Sequence, residues 1–490
     1  MAGLHPIDLG ILLLYLVAMI VIGVWTSRSI KNQGDFFVAG RRLNKFLQMM
    51  INFGTGTHTD QAVIVVSKSY DVGLSGIWYQ WLWMFVTPFY WMIAPIIRRM
   101  RSVTCADFFY ERFSKGFSIY YAFVGIIIMV VDIGVMLKAT GMTIEGMTTG
   151  AISANVAVFV MTFLFVFYGV LGGLLAAAIT DAIQGILTIV FSFLLIPFLL
   201  NAVGGMSALH DKLAPQMFDM VASEGTQGLT LFWIVMVSFN GLVGIVVQPH
   251  TVPTVGAGRT EMDSRVGQCF GNYIKRLCTV AWAFIGIGCV ALYSLEDLGG
   301  HSELAFGRAV TDLLPVGFLG LMLICILAAV MSTCDALMVS ASALFTNHMY
   351  AKFIRPGLSE THYVNVGRLI SVVVVLLGLA FAYAIPSARA GLEIFWRANA
   401  IVGIAFWLGI TWRRATALGA WASSLSAILV SVAIHRFFPD MPIHHEMFWY
   451  LSVGFVCGIV GSWMTRPTDP ERLRAFFGKL ARPVHGPEDE

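Results

Sequence analysis

Residues 326–346, ILAAVMSTCDALMVSASALFT, set hydroxyls and a carboxylate inside an apolar run. Read as a helix, the run puts Ala329, Ser332 and Thr333 at i, i+3 and i+4, on one face. Two hydroxyls beside a carbonyl freed by a local distortion make a hard-oxygen site for a small cation. The alternative is helix packing, because small and hydroxyl residues also join membrane helices. Further ionisable groups lie within apolar runs: Asp60, Asp132, Lys138, Asp181, Asp335, Glu393 and Arg397. Charge in hydrocarbon is costly, so each is a candidate for function. Glu393 and Arg397 are four apart and can pair on one face as a structural or gating pair. Lys138 has no acid three or four residues away, so it needs a partner from another span or an anionic solute. Asp60 can meet a cationic or hydroxyl group, or pair with Lys138. His58 either titrates near neutral pH or is simply hydrogen-bonded.

The elements that must position these groups are membrane spans. The 490 residues are 58% hydrophobic and 12% charged, with mean hydropathy +0.78. Soluble domains carry about 25% charged residues, so this composition describes a polytopic membrane protein. Apolar runs predict about 13 spans, near 7–27, 46–66, 73–97, 117–147, 154–176, 180–203, 229–251, 270–294, 314–345, 364–386, 390–410, 413–435 and 447–465. About 24 of the 31 Lys and Arg fall in alternate loops and the tail, counting Lys275 and Arg276, which puts the N-terminus outside and the C-terminus in the cytoplasm. The N-terminus lacks a basic n-region and a small-residue cleavage site, so the first run reads as a retained span. Loops 204–228 and 295–313 carry Asp211, Asp219, Glu224, Glu296, Asp297 and Glu303 and read as solvated outer caps. In the tail, Leu473, Phe476, Phe477 and Leu480 have helical spacing before a disordered GPEDE end. The seven Cys form no CxxC pair and read as reduced packing residues.

Two spans read as broken. The second contains NFGTGTHTDQ, residues 52–61; the seventh contains Asn240, Gly241 and Gly244 and ends in Gln248-Pro249-His250. Gly and Pro can merely kink a membrane helix. Interruptions five spans apart, however, mark an inverted-repeat transporter whose broken helices form a midplane site. The division that follows is an extra span and loop at 1–45, repeats at 46–203 and 229–410, accessory spans at 411–465 and a tail at 466–490.

Several segments resemble the sodium:solute symporter family, which includes sodium-coupled proline, pantothenate, sugar, sialic acid and iodide carriers. They are AAVMSTCD, GDFFVAGRRLNKF, YGVLGGLLAAAITDAIQGILTIV at 168–190, and QPHTVPTVGAGRT at 248–260 with Thr254 where Arg is often found. The resemblance covers nearly all of 7–465. It implies an all-α, LeuT-like five-plus-five inverted-repeat core and sodium-coupled uptake. For the main sodium site it implies the carbonyls of Thr55, His58 and Ala329 with the hydroxyls of Ser332 and Thr333. Asp181 matches an acid of a second sodium site in some members; a helix N-cap is the alternative. Gln80, in Tyr79-Gln80-Trp81, resembles a Tyr-Glu-Trp segment whose acid binds sugar hydroxyls. Tyr79, Trp81 and Trp83 supply an apolar wall or lipid-facing anchors. A basic residue on the helix of Lys138 holds the carboxylate in the family's sialic acid carriers. The solute set is therefore Thr57, Asp60, Gln80, Lys138, Gln248 and Arg397, and the solute a sugar, polyol or carboxylate. Expected partners are this solute, Na+ and the lipid bilayer, with no nucleic acid; the sequence sets no oligomeric state. No nucleophile–base constellation or metal-ligand spacing suggests an enzyme. A solute sensor that keeps the fold, a proton-coupled carrier and a passive carrier are the alternatives.

Overall fold

Hydrocarbon offers the backbone no hydrogen-bond partner, so each apolar run must satisfy itself as a helix. A computed structural model describes residues 6–28, 37–148, 150, 152–223 and 228–486. Lys31, residues 34–36 of the GDFF segment, Glu224 and the last residues of the tail lie outside that set. Among the described residues there is no strand, only isolated bridges such as Leu43 to Gly258.

In chain order the helices are α1 (Pro6–Ser27), α2 (Lys45–Gly56), α3 (Thr59–Val72), α4 (Tyr90–Met100), α5 (Cys105–Arg112), α6 (Lys115–Met147), α7 (Ala154–Val203), α8 (Gly205–Lys212) and α9 (Leu231–Ile245). Then come α10 (Thr251–Gly256), α11 (Glu261–Leu292), α12 (Ala305–Leu313), α13 (Phe318–Ala343), α14 (Glu360–Ala384), α15 (Ala388–Thr411), α16 (Ala417–Phe437), α17 (Ile443–Trp463) and α18 (Pro470–Ala481). Eight segments among the described residues are long and apolar enough to cross a membrane. The other passes are short or interrupted. The second is α2 and α3, parted at Thr57 and His58; the seventh is α9 and α10, parted at 246–250. The third winds through short 3-10 turns and one α-helical turn, Trp78–Trp81, between Gly73 and Phe89 before α4.

Two expected boundaries differ. Backbone is helical throughout α7, where two spans were expected. A straight helix of 50 residues would run about 75 Å. Yet both ends of α7 sit near the short α12: Ala154 N bonds Glu145 near the end of α6, Thr311 of α12 bonds Met147 O, and Leu199 abuts Gly288, next to Cys289, whose thiol faces Ala305 O. The element is therefore not one straight rod, and its part Ala178–Val203 is by itself long and apolar enough to cross a membrane. Asp181 consequently lies inside helical backbone and is no N-cap; the cap of α7 is Ser153. The ninth pass, expected to stop near 345, winds on through Leu344–Ile354 as a π-helix.

Burial ranks the helices. The central window of α13 is 100% buried, against 33% for α14, α16 and α17, so α13 is the axis and the last pair is peripheral. The loop 295–313 is more than a solvated cap: α12 buries Ala305, Phe306, Ala309 and Val310. On the side rich in basic residues, three buried arginines hold carbonyl groups. Arg41 donates to Gly256 O and Ser102 O, Arg98 to Gly258 O, and Arg112 to Gly409 O and Trp412 O. Arg112 thereby caps the end of α15, whose last carbonyls lack helical partners. There α18 packs Phe476 onto Phe108, while Arg472 bonds Tyr110 O and Glu111 O and Lys479 pairs with Glu111 at 2.8 Å. The seven cysteines are free, as the spacing predicts.

Candidate functional site

The break in the second pass frees backbone oxygens. Thr57 and His58 adopt extended conformations, so α2 stops and α3 starts afresh. Gly54 makes the approach possible: a Cβ there would stand 2.8 Å from Asp181 Cγ and 2.9 Å from Ser332 Oγ. Thr333 Oγ1 lies 3.2 Å from Gly54 O and 3.1 Å from Ala329 O. Its single proton can satisfy only one of them. Ser332 Oγ donates to Asp181 Oδ1, while Asp181 Oδ2 is buried with no hydrogen-bond partner among the described residues. Oxygen is thus in surplus over protons between α2, α7 and α13. That donor set suits a small hard cation.

Thr55 and Ala329 belong to this region, but the Thr55 carbonyl faces His58 Nε2 at 2.8 Å. A carbonyl accepts only, so that nitrogen carries a proton. In the second pass it is Gly54 O, one residue earlier than expected, that reaches the Thr333 hydroxyl of α13. Asp181, expected in a separate site, shares Ser332 with this cluster.

Beside the cluster lies a polar cavity of about 70 Å³. Asp60, Gln80 and Gln248 line it, with His58, Asp132 and Trp83. His58 Nδ1 faces Asp60 at 3.4 Å and Asp132 at 3.9 Å. Asp60 therefore meets His58; the expected pairing with Lys138 does not form, and Lys138 is not among the lining residues. Thr57 is buried next to the lining with its hydroxyl unpartnered among the described residues. Arg397 also stays out of the lining. It pairs with Glu446 at 2.9 Å, not with Glu393, because α17 brings a buried carboxylate against α15. Tyr79 stacks on Trp233 behind Trp83, whereas Trp81 is half-buried and donates to Arg276 O.

Two cations that sequence reasoning assigned to a loop stand in the cavity. Lys275 Nζ bonds Gly56 O across the break, and Arg276 donates to Gln80 O at 3.1 Å. They belong to α11, which begins at Glu261, so both are inside the membrane pass. Their position within the 270–294 apolar run was the available signal. Asn52, Gln268 and Asn272 carry the polar lining towards the basic side; Leu392, Phe395 and Trp396 close the opposite end.

The cavity's hydrogen-bond inventory is lopsided. Gln61 Oε1, Gln80 Oε1, Asp132 Oδ2 and Gln268 Oε1 are buried acceptors without hydrogen-bond partners among the described residues, and Asp60 Oδ1 faces only His58 Nδ1, at 3.4 Å. Among the described residues Trp396 Nε1 and Arg276 Nε are donors in that condition, and the Thr55 hydroxyl and His250 Nδ1 can serve either way. Two carboxylates, Asp60 and Asp132, balance the two cations, Lys275 and Arg276. A ligand that donates several hydrogen bonds and carries no net charge satisfies such a wall.

A model of the sodium:solute symporter family matches residues 36–426. The chain is 23% identical over 492 residues to the sodium/glucose cotransporter of Vibrio parahaemolyticus, covering 92% of this chain and 89% of that protein. It is 23% identical over 537 residues to sodium/myo-inositol cotransporter 2 of Sus scrofa, covering 96% and 78%. A structure of the substrate-bound outward-open state of a Na+-coupled sialic acid symporter superposes with a TM-score of 0.84 at 17% identity, covering 95% of this chain and 99% of that chain. MHP1, a nucleobase-cation-symport-1 family transporter in a closed conformation, superposes at 0.58 with 12% identity, covering 90% and 97%. At these identities the superpositions show the fold, the LeuT-like five-plus-five inverted-repeat core.

Proposed function

The chain belongs to the sodium:solute symporter family, and from that premise we propose that it is a sodium-coupled secondary symporter importing a neutral, hydroxyl-rich solute such as a sugar or polyol. The observation that carries the solute class is the surplus of unpartnered acceptors in a cavity whose charges balance. Hydroxyl groups donate to Gln80, Gln61, Asp60 and Asp132, while the Trp396 indole N–H serves one solute oxygen. Gln248 and Thr57 border the same volume. A carboxylate such as a sialic acid would need an uncommitted cation. Lys138 and Arg397, the expected holders, do not line the cavity, Lys275 already bonds Gly56 O, and Arg276, which donates to Gln80 O and keeps only its Nε unpartnered, shares the cavity with the carboxylates of Asp60 and Asp132.

Sodium is the co-transported ion. Its coordination is assigned to Ser332, Thr333 and the Ala329 carbonyl, with Gly54, Thr55 and His58 supplying the break and Asp181 the charge. An ion there neutralises the buried carboxylate and draws the break in the second pass onto α13. That closure shapes the adjoining wall, Asp60 and Gln61 included, for the solute. The two repeats, 46–203 and 229–410, then rock about the site, with 1–45, 411–465 and 466–490 outside the moving core. The N-terminus is outside and the C-terminus cytoplasmic in the cell membrane, supported by the positive-inside count. The protein is a carrier and not an enzyme.

Uptake into proteoliposomes, with and without an inward sodium gradient, tests the reading on a hexose, myo-inositol, a sialic acid, a small monocarboxylate and an amino acid. Sodium-driven accumulation of the hexose or inositol alone is expected. Accumulation of only the anions would overturn the solute class, and accumulation without sodium would overturn the coupling.

A further inference from the structure

The peripheral helix α17 sends two polar side chains inward from one face. Glu446 and Tyr450 are four residues apart, hence neighbours on that face, and both are buried, at 1% and 0% exposure. Glu446 Oε2 accepts from Arg397 Nε at 2.9 Å, and its other oxygen accepts from Ser431 Oγ of α16 at 2.6 Å. The Tyr450 hydroxyl donates to Asn240 Oδ1 of α9. Asn240 Nδ2 in turn donates to the carbonyl of Trp396 at 3.3 Å. The two routes therefore converge on consecutive residues of α15, Trp396 and Arg397.

Trp396 is where the route meets the cavity. Its indole lines the volume, packs on Tyr79 at 5.5 Å between centroids, and keeps a buried Nε1 with no partner among the described residues. A buried carboxylate is a poor way to gain stability, since a well-packed apolar residue serves as well or better. Holding a neighbour in one place is what a hydrogen-bonded network adds.

We propose that Glu446 and Tyr450, on an accessory helix outside the ten-helix core, are positioning residues that set where the Trp396 indole stands in the solute cavity. The proposal rests on this cavity being the solute site. It implies that selectivity is tuned from α17 without any residue of α17 touching the solute.

The test reads Trp396 directly, without any solute. Full-length wild type, Glu446→Gln and Tyr450→Phe are each prepared with and without Trp396→Phe, in nanodiscs. Subtracting the paired emission spectra isolates the Trp396 component in each background. A red-shifted, more readily quenched component in Glu446→Gln or Tyr450→Phe is expected. Where the protein takes up myo-inositol, the same variants should raise KM about three- to tenfold, the effect of one lost hydrogen bond, with Vmax and sodium requirement unchanged. Tyr450→Phe keeps the ring and its packing, so it serves if Glu446→Gln does not reach the membrane. An unshifted Trp396 component in a folded Tyr450→Phe overturns the proposal, whatever its melting temperature. Failure of every solute to be taken up by wild type, with the spectral shift present, overturns the functional reading and leaves the positioning intact.

Discussion

At the scale of single residues, the hydroxyl pair on α13 carries the sharpest consequence. Ser332 and Thr333 are buried among oxygens that outnumber the available protons. Removing one ligand oxygen from a cation costs on the order of one charged hydrogen bond. Ser332→Ala and Thr333→Ala should each raise the sodium concentration for half-maximal uptake about tenfold or more; a sodium curve that does not move would sink the assignment. Gly54→Ala should abolish sodium dependence while the protein still reaches the membrane, because its Cβ occupies the gap between Asp181 and Ser332. Asp107, on the basic side, makes a pH prediction. Burial pushes its carboxyl up, but the His348 hydrogen bond and the Lys352 ammonium outweigh this and hold it well below the usual carboxylate range. A depressed folded value gives stability that is fully present above the unfolded pKa, about 3.9, and lost as pH falls towards the folded one. The melting-temperature gap between wild type and Asp107→Asn should therefore persist at neutral pH and begin to close below about pH 4. A gap unchanged between neutrality and strong acid would rule out that origin.

At the scale of elements, the interruptions were legible and the partners were not. Gly54, Gly56 and a dense polar run have no reason to sit in hydrocarbon unless the helix breaks there, and it does. The 3.6-residue period likewise put Ala329, Ser332 and Thr333 on one face. Local spacing could not foresee that Arg397 would meet Glu446, 49 residues away, instead of the acid one turn back. Nor could a loop count show that Lys275 and Arg276 lie within α11, since charge at the edge of an apolar run is ordinarily snorkelling. The fit of Gly54 O to Thr333 is set by how α2 leans on α13, a tertiary fact. Arg112 shows how an element depends on a distant cap. Its fork serves the carbonyls of Gly409, Trp412 and Arg413 together. A lysine ammonium cannot match that geometry, so Arg112→Lys should destabilise the protein by about 1–3 kcal/mol, seen as a lower melting temperature in detergent. Arg112→Lys melting like wild type would show the cap to be redundant.

At the scale of the whole molecule, the arrangement is a thermodynamic machine fed by ions. One inward charge through 100 mV yields about 2.3 kcal/mol, and a tenfold sodium gradient about 1.4 kcal/mol more. A single coupled sodium can therefore sustain solute accumulation of several hundredfold, on the order of that summed free energy. Collapsing the voltage with potassium and valinomycin should lower the steady-state accumulation ratio about fiftyfold; an accumulation indifferent to voltage would mean electroneutral exchange. The tail helix α18 bears on a different stage of the protein's life. It bonds α5 through Glu111 and Tyr110, and Leu480 O accepts from Arg99 at the end of α4. Those two elements leave the ribosome long before α18 does. The face they form thus stays open through the synthesis of ten further membrane passes and closes only when translation is over. Quality control reads such a face for unfinished chains, so a nonsense codon that spares every membrane helix but removes residues 470–490 should shorten the protein's cellular half-life.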